Sequence, residues 1–138
     1  MRFAYAMSEK WTWNGAPRGR TLFAAELPWV RPVIDFAHLH AVTDGAFTDV
    51  EAFVGVLTLA DSILAPAAPF HIHFSDIQFA NRNETKHLPY GAGTLRAEPL
   101  GEALAQFERP ATVITESPDE ESNQAIRAAL FASAGSSG

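Results

Sequence analysis

Three short apolar runs, each ending in a residue that ionises or binds metal, constrain this 138-residue chain more than anything else in it. They cover residues 30–36, 69–74 and 111–116 and close on Asp35, His73 and Glu116. Runs this short, rich in β-branched and aromatic residues, read as buried strands. Residues 2–7 are a weaker fourth candidate. Apolar stripes of helical period follow the three runs, at residues 47–64, 99–107 and 118–133. Thr48 with Glu51, and Ser117 with Glu120, have the spacing of capping boxes, and Pro99 and Pro118 suit a first helical position.

Strands that are apolar throughout and alternate with helices imply parallel pairing under a helical layer. The chemistry-bearing residues then gather at the carboxyl ends of the strands, where such folds place ligands. Asp35, His73 and Glu116 are 38 and 43 residues apart, so one strand–helix unit takes about forty residues. Eight such units need far more than 138 residues. The expected fold is α/β, a partial (half) TIM (β/α)8 barrel of about three to four parallel βα units. Residues 1–28 form a poorly matched first unit and loop carrying Trp11 and Trp13, which read either as a plain connection or as a stacking surface. Residues 29–133 carry the repeat, and residues 134–138 a flexible tail.

Composition narrows the function classes. With no Cys, a disulfide framework, a thiolate zinc site and a thiol nucleophile are excluded. No apolar run is long enough to span a membrane, and the first ten residues do not read as a signal peptide. A cytoplasmic location follows as the expectation. Ten basic against sixteen acidic residues give a net charge of −6. A chain so acidic needs a local basic loop or bound cations to approach nucleic acid.

All five His fall between residues 38 and 87, and four motifs contain them or adjoin them. In Asp35-Phe36-Ala37-His38, a carboxylate and an imidazole can converge on neighbouring cations, and zinc or manganese accepts that donor mixture. In His71-Ile72-His73, two-residue periodicity puts both rings on one strand face. His73 lies nearer the strand end and is the better ligand, whereas His71 reads as a core residue one layer deeper. Residues 81–93 form the most basic stretch, with Arg82 and Lys86 available to phosphates and Glu84 and His87 to metal; the same stretch also reads as a solvated loop. Glu116 ends an apolar strand, where a carboxylate is costly to bury without a cation or donor.

In this order, VRPVIDFAHLHA, PFHIHFSDIQF, KHLPYGAGTLRAEPL and TVITESPD resemble the C-terminal half of the endonuclease IV family. These are metal-dependent AP endonucleases of the xylose isomerase-like TIM-barrel superfamily, and the likeness is to the deoxyribonuclease IV-like branch over about residues 29–127. The resemblance implies phosphodiester cleavage at abasic sites in DNA. It implies that Asp35 and His73 ligate one zinc with Glu116 as the bridging carboxylate, and that His38 and His87 ligate another. Those ions would polarise the phosphate and activate water.

The match departs from the family at Thr85, where the family carries Asp, and Glu84 stands one residue further back. The strand end before Asp35's carries Tyr5 in place of the family's bridging Glu, with Glu9 the nearest carboxylate. Two further family His belong to strands preceding these. The expectation is therefore an incomplete site of two zinc ions at most (manganese being possible), in a fragment or truncated member. Its partners would be abasic DNA and either the other half-barrel or a second copy. Two alternatives stand beside it: a sugar isomerase or epimerase of the same superfamily, and a non-catalytic remnant.

Overall fold

The computed structural model describes residues 32–136, with side chains as far as Ala134. Expectations for residues 1–28, including Trp11, Trp13, Tyr5, Glu9 and the strand at 2–7, lie outside the described residues. From Val33 onward the order is β1 (Val33–Asp35), α1 (Phe36–Val42), α2 (Val50–Asp61), β2 (Phe70–Phe74), β3 (Asp76–Ala80), β4 (Asn83–Leu88), α3 (Glu98–Leu104), β5 (Ala111–Thr115) and α4 (Glu120–Ser136). Strands β1, β2 and β5 form a parallel sheet in that order, and β3 and β4 form a separate antiparallel hairpin. The three expected strands are thus the three parallel strands, and the chain is a mixed α/β fold.

Alternation along β2 separates the two sides of the sheet. Phe70, Ile72 and Phe74 are fully buried, while His71 and His73 are half-buried on the opposite face. His71 therefore shares the partly open face with His73 and is not the enclosed core residue expected from its position. The core side packs Phe36, Phe47 and Phe53 with centroids 4.8–5.6 Å apart, each pair tilted or edge-on. Such aromatic pairs add about 0.5–1.5 kcal/mol each beyond the area they bury. Val56, Leu57 and Ala60 of α2 extend this layer toward Leu100 and Ala103 of α3. Helices α3 and α4 touch at Gly101, where a Cβ would meet the Leu130 carbonyl at 2.8 Å. Below the sheet, Arg109 binds Asp61 at 2.7 Å, donates to the Ala65 carbonyl and lies over the Phe70 ring.

Several expected boundaries move for identifiable reasons. The second helix starts at Val50 because the Asp49 carboxylate accepts from the Ala52 amide, displacing Thr48 as cap. Likewise Asp119 takes the Ser122 amide at 2.7 Å, so α4 begins at Glu120 and Ser117 is not its cap. That helix continues through Ser136, into the stretch expected to be a flexible tail. The largest revision is the segment read as a loop, residues 81–93, which contains the turn and the second strand of the β3–β4 hairpin. Asn81 and Arg82 form its two-residue turn with φ of 53° and 62°, the positive values that a type I′ hairpin turn requires.

Candidate metal centre

Strand register assembles the site. Asp35 stands opposite His73, which stands opposite Ile114, and two residues past Ile114 comes Glu116. Side chains paired across a sheet share a face. Asp35, His73 and Glu116 therefore project from adjacent strand ends on the side away from the helical core. One ligand atom from each lies within 4.8 Å of the others, the one such trio among the described residues. His73 Nδ1 is 3.0 Å from Glu116 Oε1. Zinc ligands bound at about 2.0–2.2 Å stand roughly 3.4 Å apart, so modest side-chain adjustment fits these three donors to one divalent cation.

Asp35 has two tasks. One carboxylate oxygen, Oδ1, accepts from the His38 amide at 3.0 Å and caps α1. The Asp-x-x-His spacing is thus the spacing of an N-cap and the third helical residue, and it sets the His38 ring beside the carboxylate. Burial pushes the Asp35 carboxyl above its usual range, and the nearby charges of Glu84 and Glu116 push the same way. The capping amide and His38 only partly oppose this. Apart from His38, the charges acting on Asp35 are those of carboxylates, an environment that a bound cation would balance.

His38 and His87 enter from different elements. His38 Nδ1 is 3.5 Å from Glu84 Oε2, which brings the first turn of α1 against the hairpin. His87 Nδ1 is 2.8 Å from the Glu116 carbonyl and 3.1 Å from Ser75 Oγ. A carbonyl can only accept, so Nδ1 is the donor in that contact and Nε2 is the nitrogen left to face a ligand. Metal-binding His rings are commonly oriented in this way, by a backbone acceptor on the other nitrogen. Arg82 is exposed at the hairpin tip. Lys86 pairs with Gln78, whereas His87 pairs with Ile77, so Lys86 lies on the opposite hairpin face from His87.

Neighbouring residues that the motifs did not single out hold this assembly. Ser75 and the Glu116 backbone orient His87. Fully buried Asp76 accepts from the amides of Ile77, Gly91, Gly93 and Leu95 and from Arg96, with distances of 2.8–3.3 Å. It thereby gathers the Tyr90–Arg96 loop around the base of the hairpin. His40 accepts from the Phe47 amide at Nδ1 and is 2.8 Å from Thr94 Oγ1 through Nε2. Both ring nitrogens are engaged, so His40 serves structure while its neighbour His38 faces the site. The adjacent Ser and Asp after HIHF are a visible signal for Ser75 and Asp76; the backbone partners leave none.

Comparison with known proteins adds one relative. The chain is 33% identical over 91 residues to an uncharacterized protein of Methanocaldococcus jannaschii, a match covering 64% of this chain and 33% of that protein. The chain thus spans about a third of the length of the curated relative it matches. No family model matches the chain, and no solved structure matches it. Among the described residues, no helix is long and apolar enough to cross a membrane.

Proposed function

We propose that this chain is part of an endonuclease IV-like, divalent-cation-dependent phosphodiester hydrolase acting at abasic sites in DNA. The observation that carries the reading is the Asp35–His73–Glu116 trio at the carboxyl ends of three adjacent parallel strands. The order β1-β2-β5 is that of successive strands in a (β/α)8 barrel, and the sheet continues into a half-barrel on this reading. Support comes also from β5, an edge strand whose Ile114 is 48% exposed on the same face as His73.

Asp35, His73 and Glu116 would hold zinc or manganese, which when bound would supply Lewis-acid activation of the phosphodiester and of water. The protein's own part is to fix donors and exclude wrong geometries. Capping of α1 holds Asp35, the ladder bond from the Glu116 amide to the Phe74 carbonyl holds Glu116, and the Glu116 carbonyl orients His87. Arg82, at the exposed hairpin tip, offers a cation to the DNA backbone that the net charge otherwise repels.

The test is incision of a duplex bearing one abasic site, run on zinc- or manganese-loaded protein and repeated with chelator. Cleavage 5′ to the lesion, lost with chelator and in His73→Ala, is expected. Protein that takes up no cation at equilibrium dialysis refutes the proposal. A sugar isomerase or epimerase is the second reading, favoured because the trio is a single-cation donor set of Asp, His and Glu. Pentose or ketose turnover without incision establishes it.

A further inference from the structure

The β2–β5 ladder decides which backbone groups of β5 are left over. The Phe70 amide donates to the Pro110 carbonyl at 2.9 Å, and the Glu116 amide to the Phe74 carbonyl at 3.3 Å. Even-numbered residues of this stretch therefore turn toward β2, and Ala111, Val113 and Thr115 turn their N–H and C=O groups to the open edge. No described strand pairs with that edge. Nothing in β5 obstructs pairing there. Its sequence Ala-Thr-Val-Ile-Thr has no charge and no Pro, and its register with β2 has no bulge.

Side chains frame the same edge. Ala111, Val113 and Thr115 form one wall of an open groove, and Glu120, Arg127 and Phe131 of α4 belong to the other. Phe131 is 68% exposed, and Ile114, on the opposite face of β5, is 48% exposed. These are the two exposed large apolar residues among the described ones, and both border this edge. Glu120 and Arg127 are the charged residues lining the groove, and they cancel in a chain of net charge −6.

We infer that a second copy of this chain docks at the β5 edge, by antiparallel β5–β5 pairing about a two-fold axis at Val113. Such an axis sets Ala111 opposite the partner's Thr115 and Val113 opposite itself. All three outward-turned residues then meet outward-turned residues, and every free N–H and C=O group among them finds a partner. Thr112 falls opposite the partner's Ile114 and covers it. Strand and helix adjoin at Thr115 and Glu120, across a short connection. From there to Val113 the strand descends about 6.6 Å, which four to five helical residues match. The axis therefore passes level with Gln124, and each Glu120 comes level with the partner's Arg127, its opposite charge. Pairing of this kind needs no metal. Because an edge takes one strand, further parallel strands of a half-barrel would join at β1.

The test is sedimentation equilibrium of the full chain from micromolar to submillimolar concentration, expected to give about 30 kDa, twice the 15.0 kDa of one chain. The chain has no Cys, so a single introduced thiol reads the register. Cα atoms paired at the axis stand about 5.5 Å apart, within reach of a disulfide, so Val113→Cys should cross-link to a dimer under mild oxidant. Ala111→Cys, about 13 Å from its own copy by a four-residue offset, should not. Val113→Pro removes the central outward N–H at a kind of edge position where Pro is tolerated. It should sediment as one chain with an unchanged far-ultraviolet circular dichroism spectrum; where it loses its fold, the Cys variants decide. A wild type that stays at the mass of one chain overturns the dimer. Cross-linking of Ala111→Cys as readily as Val113→Cys overturns the antiparallel register, and a folded Val113→Pro that remains dimeric overturns the β5 interface.

Discussion

Replacing Asp76 by Ala gives the sharpest test of how the loop behind the site is held. Its carboxylate is fully buried and accepts from four backbone amides and the Arg96 guanidinium. Of those amides, Gly91 and Gly93 lie near the surface and can turn to water, whereas Ile77 and Leu95 are at most 2% exposed. A buried donor left without an acceptor costs about 1–3 kcal/mol. Two of them, with part of the lost ion pair, give roughly 3–5 kcal/mol, as found for breaking buried charge pairs. Arg96 is 40% exposed, so its share is small. For a domain of this size the melting temperature should fall by about 10–20 °C. Urea unfolding at neutral pH, followed by circular dichroism, reads the change directly. Asp76→Asn keeps one acceptor oxygen and should lose about half as much. A loss below about 1 kcal/mol in Asp76→Ala, where burial predicts several, would refute the reasoning.

Other expectations follow from the same geometry. Gly93→Ala drives a Cβ against Asp76 Oδ1 and to 3.0 Å from the Ile77 carbonyl, so it should destabilise by about 1–3 kcal/mol; an unchanged urea midpoint contradicts the close approach. Burial lowers the His40 pKa below 6.5, with the Asp76 charge only partly opposing. Its stabilising contribution is therefore present above pH 6.5 and lost as pH falls toward the folded value, because the unfolded chain binds the proton first. His40→Gln should flatten that part of the stability–pH curve, and a wild-type slope retained in the variant assigns it to another group. Asp35 shifts the other way, its folded pKa being raised above 3.8, so its contribution declines as pH rises through that interval. Asp35→Asn, which retains the helix cap, should be more stable than wild type at pH 7 in chelator and less stable in excess zinc. The same ranking in both solutions overturns the account.

What the sequence made legible, and what it hid, divides along the source of each constraint. The parallel strands were readable because apolar runs with polar ends report burial in the chain's own order. Their ends supplied Asp35, His73 and Glu116, which the register then brings together. Helix α1 was hidden because its seven residues are too few for a periodic stripe, and five of them are buried. The hairpin was hidden for the opposite reason. Asn83–Leu88 is largely exposed and polar, and its turn uses Asn81-Arg82 without the Gly that usually signals a type I′ turn. Glu84 was visible as a carboxylate near His87, but the face it occupies depends on pairing with β3, which spacing along one strand cannot report.

Asp35 and Asp76 show why the first is a candidate ligand and the second is structural. Both carboxylates leave water on folding, and each must be compensated. Asp76 is met by four amides and a guanidinium, the pattern of a group whose charge the fold has already balanced. Asp35 receives one backbone amide, through the α1 cap, and the charges of Glu84 and Glu116 beside it outweigh the opposing charge of His38. Two of those acids are partnered by imidazoles and not by a guanidinium. If the cluster served only to tie β1, β5 and the hairpin together, an Arg like Arg96 or a ring of amides would stabilise it better, and the chain uses both a few residues away. Carboxylates and imidazoles set at strand ends, with the charge unbalanced, are instead the arrangement in which a divalent cation contributes both binding and folding energy. The cation should therefore raise the unfolding midpoint of the wild type, and raise that of an Asp35→Asn, His73→Ala double variant by much less.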